Sequence, residues 1–386
     1  MKKWLKIAMV SEWRDPIYGG GQMHVKYLCE WLIKNYDCSV DLFVRKLKDW
    51  DGNVYIANES LLNGKRNIIR TWSVSLFFSI FYRILWLLQV TCVLYQKSKQ
   101  EKYDLIHGHA LLPGIPIKII SWLTGIPCVY TVHGTMLLDA NRKWLFYYIE
   151  KILTCGIKYD LEISVSKKLF HYKPQTKNLH VVYNGVDLQK IHLLAPQKKY
   201  NKLTFLTVAR MDRQKNHQII LEVLKHIRHK ISSDNIQFVR VWDGIEMQSL
   251  KYKISQYKLD EYIEIKWKLN YHETLQEFQK SHIFVLPSLG EWQPLTILES
   301  FASWLPVIAT DVGDNKEFIQ DKKNGILIKV WNIESLQKAI LYYASIPPEQ
   351  LEKQSEYCIK YGEQYDWNRV VQKTFNHYKD ILFPIL

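Results

Sequence analysis

The segment Gly290 to Asp314 reads GEWQPLTILESFASWLPVIATDVGD and joins a loop to a helix and that helix to a strand. GEWQP carries glycine and proline directly after the apolar run IFVLPS, as a chain does on leaving a buried strand. LTILESFA then places apolar residues at helical spacing, and PVIAT returns to a β-branched run. Two carboxylates, Glu291 and Glu299, stand eight positions apart across this junction. Thr296 with Glu299 fits a capping box, a purely structural use. The alternative is that the Glu299 carboxylate faces a ligand and accepts hydrogen bonds from its hydroxyl groups. Trp292 and Trp304 stand where such a loop calls for the smallest residue.

The same strand-then-helix alternation extends in both directions, which predicts parallel sheets built from βα units. In the first half the strands read LKIAMVS, SVDLFV, DLIHGH, PCVYTVHG, LEISVS and HVVYNGV; in the second, LTFLTVAR, IQFVRVW, YIEIKWKL, IFVLPS, PVIAT and GILIKV. Residues 187–202, DLQKIHLLAPQKKYNK, are polar, rich in lysine and without a clean period, and read as a linker. The expected organisation is α/β with two doubly wound domains, 1–186 and 187–366, and a final helix within 367–386 packing back onto the first. A chain of 386 residues, 47% apolar and 23% charged, is long enough for two such cores and too apolar to be disordered.

The six cysteines have no zinc-type or disulfide-type spacing, and the start, MKKWLKIAMVSEWRD, has too short an apolar core for a signal peptide. Both point to the cytoplasm. A net charge of +14 favours an anionic partner: a nucleotide, a nucleic acid or an acidic membrane surface. No stacking module or recognition helix supports the nucleic acid. The run Trp72 to Tyr95 is long enough to cross a bilayer, but Arg83 and Gln89 argue against a span. A long helix buried against a sheet fits better, with contact to a membrane surface second.

In doubly wound sheets ligands bind beyond the carboxyl ends of the strands. There the sequence places His133 after VYTV, Asn184 after VVY, Arg210 after FLTVA and Glu291 after FVLPSLG. Gly19, Gly20 and Gly21 separate the first strand from a helix and let backbone approach a phosphate, or simply form a turn. Arg210 and Lys215 could clamp a diphosphate, the Arg by a fork and the Lys as a point charge, or could lie in a solvated loop. Asp49-Trp50-Asp51 is too short a motif to define a metal site, and His107 with His109 lacks further ligands, so no metal is expected.

Taken together, PSLGEWQPLTILESFASWLPVIATDVGDNKE, YTVHG, VYNGVD and ARMDRQKN resemble, in order and spacing, the large family 4 of retaining glycosyltransferases with the GT-B fold. The similarity covers nearly the whole chain. It implies that Arg210 and Lys215 bind the diphosphate of a nucleotide sugar and that Glu299 holds the ribose. It implies that Glu291 and the backbone of Trp292, Gln293, Pro294 and Leu295 hold the transferred sugar, with His133 over the reacting centre. Asn184 joins the donor-binding set, and Gly20 and Gly21 lie between donor phosphate and acceptor. The implied activity moves a sugar from a nucleotide diphosphate donor to a glycan or lipid-linked acceptor, without cofactor or metal and with retained configuration. UDP-sugars and GDP-mannose both suit it, cell-envelope polysaccharide assembly is the expected setting, and the inner face of the membrane the expected place. A nucleotide-sugar epimerase of similar fold and an inactive nucleotide-sugar-binding protein are the rival readings.

The departures from the family pattern fall on one residue type: Trp242, Trp267, Trp292 and Trp304 occupy positions where the family has glycine. An average usage of about 7% predicts roughly 27 glycines in a chain of this length. There are 16, alongside 14 tryptophans. The pattern is that of an organism reading UGA as glycine. If instead the indoles are real, Trp292 crowds the donor sugar and weak activity is expected.

Overall fold

The structure is a computed structural model; it describes residues 5–12, 20–45, 59–61, 65–71, 80–134, 144–171, 173, 177–195, 197–241, 244–267 and 269–384. Asp49, Trp50, Asp51, Gly19, Trp242 and residues 72–79 lie outside these. The chain divides into two compact units, Met1–Asn184 with Trp367–Leu386, and Gly185–Asp366.

The first unit holds an eight-stranded sheet of β1 (Lys6–Ser11), β2 (Ser39–Arg45), β3 (Glu59–Leu61), β4 (Arg66–Thr71), β5 (Leu105–His109), β6 (Cys128–Val132), β7 (Leu161–Ser164) and β8 (Leu179–Val181). Their spatial order is β3-β4-β2-β1-β5-β6-β7-β8, parallel throughout except that β3 runs against β4. β1, β2, β5 and β6 are almost wholly buried, the state that near-continuous apolar runs predict for strands covered on both faces. The helices α1 (Gly20–Tyr36), α2 (Ile80–Gln100), α3 (Gly114–Thr124) and α4 (Trp144–Lys151) follow strands of this sheet.

α1 and the C-terminal helix (Trp367–Leu382) share one core with Ile7, Met9 and Val40, in which Trp367 stacks on Tyr27 at 5.4 Å. α2 and α3 cover the opposite face with Trp86, Val90, Leu94, Ile117 and Ile120. Trp86, Val90 and Leu94 recur every four residues, and burying such side chains stabilises by about 1.5–3 kcal/mol each. The described part of the Trp72 to Tyr95 run is therefore a helix laid on a sheet. No described helix is long and apolar enough to cross a membrane.

The second unit holds β9 (Leu203–Val208), β10 (Ile236–Val241), β11 (Ile263–Lys266), β12 (Ile283–Leu286), β13 (Val307–Thr310) and β14 (Gly325–Ile328), all parallel in the order β11-β10-β9-β12-β13-β14. Its helices are α5 (Leu188–His192), α6 (Gln218–Ile227), α7 (Met247–Gln256), α8 (Tyr271–Lys280), α9 (Leu295–Ala302), α10 (Asn315–Phe318), α11 (Ile333–Ser345) and α12 (Pro348–Gly362). The segment read as a linker holds α5, because Leu188 and Ile191 share a helical face and are buried. In each unit the strand order reverses beside the first strand: β1 has β2 on one side and β5 on the other, and β9 has β10 and β12. The carboxyl ends of those neighbouring strands open a crevice suited to a ligand.

Candidate functional site

At the switch point of the second unit, Arg210 lies two residues beyond β9 and Glu291 five beyond β12. The chain after β9 tightens into a 3-10 turn, Arg213–Lys215, capped by Asp212, whose carboxylate accepts from the Lys215 N–H at 3.2 Å. Asn216 follows in the left-handed region at φ 51, a conformation that Asn tolerates, and its side chain donates to the Pro287 carbonyl at 3.3 Å. Gln214 Nε2 donates to the Gly290 carbonyl at 2.9 Å while the Leu289 N–H donates to the Gln214 carbonyl at 2.7 Å. The two strand-end loops are thereby bolted together.

That bracing brings Lys215 Nζ within 2.6 Å of Glu291 Oε1, both side chains mostly enclosed. Two ammonium protons of Lys215 remain for an incoming anion. Arg210 keeps more of its surface in solvent, 58% of the side chain, and pairs with Asp212 at 3.1 Å. The Glu291 loop is fixed from below by Gly313, at φ 64, where a Cβ would collide with the Glu291 carbonyl. The Asp314 N–H donates to the Trp292 carbonyl at 3.2 Å. Gln293 and Pro294 are buried, and Trp292 and Leu295 half-buried.

α9 begins at Leu295, so the capping box of Thr296 and Glu299 does not form: the N-cap is Pro294, with no side-chain cap. The first N–H groups of the helix are thus left without the usual side-chain acceptor. Glu299 is half-buried, and the protein packed around its carboxyl pushes the pKa up to about 7, against a hydrogen bond from Tyr271 and the charge of Lys190. The Lys190 ammonium also lies over the Tyr271 ring at 4.7 Å. Tyr271 and Lys190 escape sequence reasoning because a lone Tyr at a helix start and a Lys in a polar segment carry no spacing signal.

In the first unit His133 follows β6 and meets His109, the last residue of β5, with Nε2 and Nδ1 at 3.1 Å. His24 on α1 packs edge-on to His133 at 4.7 Å and shares a 2.7 Å hydrogen bond with the side chain of Asn184. Asn184 thus belongs with the histidines of its own unit. Burial lowers the pKa of His24 to about 4 and those of His109 and His133 well below the usual imidazole range, so all three are neutral at pH 7. His133 Nδ1 and His109 Nε2 are buried without a hydrogen-bond partner.

Gly20 and Gly21 open α1 rather than forming a loop, and neither has positive φ. A Cβ on Gly21 would sit 3.5 Å from the His133 ring. His107 is structural, hydrogen-bonded to Tyr378 at 2.6 Å and Thr131 at 2.7 Å. His24, His109 and His133 offer ring nitrogens within 4.8 Å of one another, a grouping that strand spacing alone could not reveal because it draws on α1, β5 and the end of β6. Among the described residues, no carboxylate or thiol joins the three.

Two doubly wound, parallel-sheet units with polar side chains gathered at their switch points are the ground plan of GT-B glycosyltransferases, which other nucleotide-binding proteins share. Comparison with known proteins makes this specific. The pattern "Glycosyltransferase Family 4" matches residues 18–190 and "Glycosyl transferases group 1" matches 192–365. The chain is 32% identical to the Escherichia coli UDP-Gal:alpha-D-GlcNAc-diphosphoundecaprenol alpha-1,3-galactosyltransferase over 64% of its own length and 68% of that protein's. It is 26% identical to an uncharacterized glycosyltransferase of Methanocaldococcus jannaschii, over 98% and 99% of the two chains. Sucrose-phosphate synthase from Thermosynechococcus elongatus has the same fold, with a TM-score of 0.80 at 18% identity over 98% and 99% of the chains. So does Anabaena HepE, solved with UDP, at a TM-score of 0.73 and 16% identity over 96% and 99%. The chain belongs to the family 4 glycosyltransferases. The epimerase reading gains no support from these matches.

Proposed function

We propose that this glycosyltransferase moves a hexose, with retained configuration, from a UDP-sugar to a lipid-linked glycan acceptor at the inner face of a membrane, in the assembly of an envelope polysaccharide. The observation that carries the donor side is the Lys215–Glu291 pair, 2.6 Å apart at the crevice beside β9 and β12. Lys215 and Arg210 hold the diphosphate, and Glu299 accepts hydrogen bonds from the ribose. Glu291, with the backbone of Trp292, Gln293, Pro294 and Leu295, binds the sugar hydroxyls. A nucleoside diphosphate leaves as an already acidic group, so fixed cations, rather than a proton donor, stabilise the charge that develops on it. The half-buried, neutral imidazole of His133 serves as a hydrogen-bonding group to the sugar, and Asn184 acts through His24. The lipid-linked acceptor is supported by the kinship with the Escherichia coli enzyme, whose name gives alpha-D-GlcNAc-diphosphoundecaprenol as the acceptor.

The test is release of nucleoside diphosphate from UDP-galactose, UDP-glucose, UDP-N-acetylglucosamine and GDP-mannose in the presence of polyprenyl-diphosphate sugars. Turnover with a UDP-sugar is expected. Lys215→Ala should lower kcat/KM for the donor about a hundredfold, the scale of a lost charge-stabilising group. Unaltered kinetics in this variant would overturn the site assignment, and isomerisation of donor without acceptor would overturn the reaction.

A further inference from the structure

α2 and α3 lie side by side on one face of the first sheet and bury Trp86, Val90, Leu94, Ile117 and Ile120 in one core. Their opposite faces look outward from the same layer. There Ile84, Leu85 and Leu88 on α2 and Ile119, Trp122 and Leu123 on α3 are exposed, Leu88 by 62% and Trp122 by 81%. Scattered exposed apolar residues are ordinary, but six on two packed helices form a patch of the kind that marks an interaction site. Neither helix contains an acidic residue; both carry lysine. Lys99 Nζ sits 5.4 Å over the Tyr95 ring at the end of the α2 stripe, and Lys118 stands one turn before Trp122.

We infer that the outer face of α2 and α3 docks onto an anionic lipid surface. Apolar side chains reach the acyl boundary, an indole suits the headgroup level, and lysines meet lipid phosphates, the division of labour of interfacial helices. A second copy of the chain fits worse, because two such faces would bring lysines together with no carboxylate on either helix to pair them. The inference goes beyond the reading of a lipid-linked acceptor and agrees with it, since an enzyme held at the bilayer meets such an acceptor without leaving it.

The experiment is co-sedimentation of the full chain with vesicles of phosphatidylglycerol and phosphatidylethanolamine, against phosphatidylcholine alone. Donor hydrolysis is followed in parallel. Wild-type protein is expected to sediment with the anionic vesicles and to be released by salt. Leu85→Glu with Leu88→Glu should weaken binding more than tenfold and leave donor hydrolysis unchanged. Lys99→Gln and Lys118→Gln should each weaken it about fivefold, the effect of about 1 kcal/mol per basic residue at an anionic surface. Equal sedimentation of wild type and the leucine variant would overturn the inference. So would a wild-type dimer that the leucine variant dissolves, or binding only to an acidic protein. Vesicle binding by an enzyme that uses only water-soluble acceptors would uphold the docking surface and remove the lipid-linked acceptor.

A second inference rests on backbone geometry. Trp304 and Trp331 have φ of 66 and 57, the left-handed region, where a bulky side chain is a true outlier. Each is exposed, by 46% and 63%, so burial does not repay the strain. Past α9, the Leu305 N–H donates to the Ser300 carbonyl at 2.9 Å and the Trp304 N–H to the Phe301 carbonyl at 3.1 Å. That is the Schellman arrangement, with Trp304 at the position usually held by glycine. Trp331 is the third residue of a turn closed by the Asn332 N–H on the Lys329 carbonyl at 3.3 Å, where positive φ again asks for glycine. By contrast Trp86 and Trp367 are fully buried with ordinary φ.

We infer that positions 304 and 331 carry glycine in the protein as its source makes it, from UGA codons. Trp267 and Trp292 have no positive φ, so their glycine reading rests on the family pattern alone. Mass spectrometry of protein purified from its source is expected to give glycine at both positions, and tryptophan at either would overturn the inference. In recombinant protein, Trp304→Gly and Trp331→Gly should each raise Tm by about 2–4 °C. A lower Tm in both would count equally against it.

Discussion

Glu299 and His24 show how one physical term acts with opposite sign on two side chains. Burial raises the Glu299 pKa to about 7 from the ordinary carboxyl value of 4.5, so the folded protein holds a proton that the unfolded chain releases. Stability is therefore fullest below pH 4.5 and declines as pH rises through 7, by on the order of 3 kcal/mol. His24 runs the other way: its pKa of about 4 against 6.5 makes stability full above pH 6.5 and lost as pH falls towards 4. Urea titrations across pH 4 to 8 should show the Glu299 slope vanish in Glu299→Gln while the acid limb remains. Donor affinity should strengthen as pH rises through about 7, because the ionised carboxylate is the form that accepts ribose hydroxyls. A flat binding profile would refute that role. Glu299 was legible in the sequence through its motif and His24 was not, and neither protonation state could be read there, since burial depends on what folds around each.

Among the elements, the apolar strands and the long helices declare themselves in the sequence through uninterrupted β-branched runs and four-residue spacing. β4 does not: in RNIIRT only Ile68 and Ile69 are apolar, and the strand is recognisable mainly by its pairing with β2. α9 starts at Leu295, one residue before Thr296, and Thr-x-x-Glu does not cap it because the chain turns at Pro294. The C-terminal helix is an element whose return to the first unit the sequence suggests without showing, because its spacing does not say which unit it joins. With Trp367, Val371 and Tyr378 fully buried against the first sheet and α1, Trp367→Ala should cost about 3–5 kcal/mol, read as a fall in the denaturant midpoint. A loss under 1 kcal/mol would mean that the helix is an appendage.

For the whole molecule, the repeated βα plan exposed both sheets and the positions of Arg210, Lys215, Glu291 and His133 at strand ends. The contacts among side chains stayed hidden. The pairing of Lys215 with Glu291 joins residues 76 positions apart, and that of His24 with Asn184 joins residues 160 apart. No local spacing encodes either. Turnover is expected to persist in excess EDTA, because in the proposed site Arg210 and Lys215 would supply the positive charge that a divalent cation would otherwise bring. Loss of activity on chelation, restored by one added metal, would redirect attention to His24, His109 and His133.

The 2.6 Å hydrogen bond between His107 and Tyr378 spans 271 positions of chain, a stretch that contains the whole second unit. Domains generally fold as units while the chain is still being made. Here the first unit cannot be completed that way: α1 keeps an oily flank bare until the whole second unit has been translated and Trp367–Leu382 follows it. Translation that stalls in the second unit would leave a half-dressed nascent chain, a natural client for a chaperone.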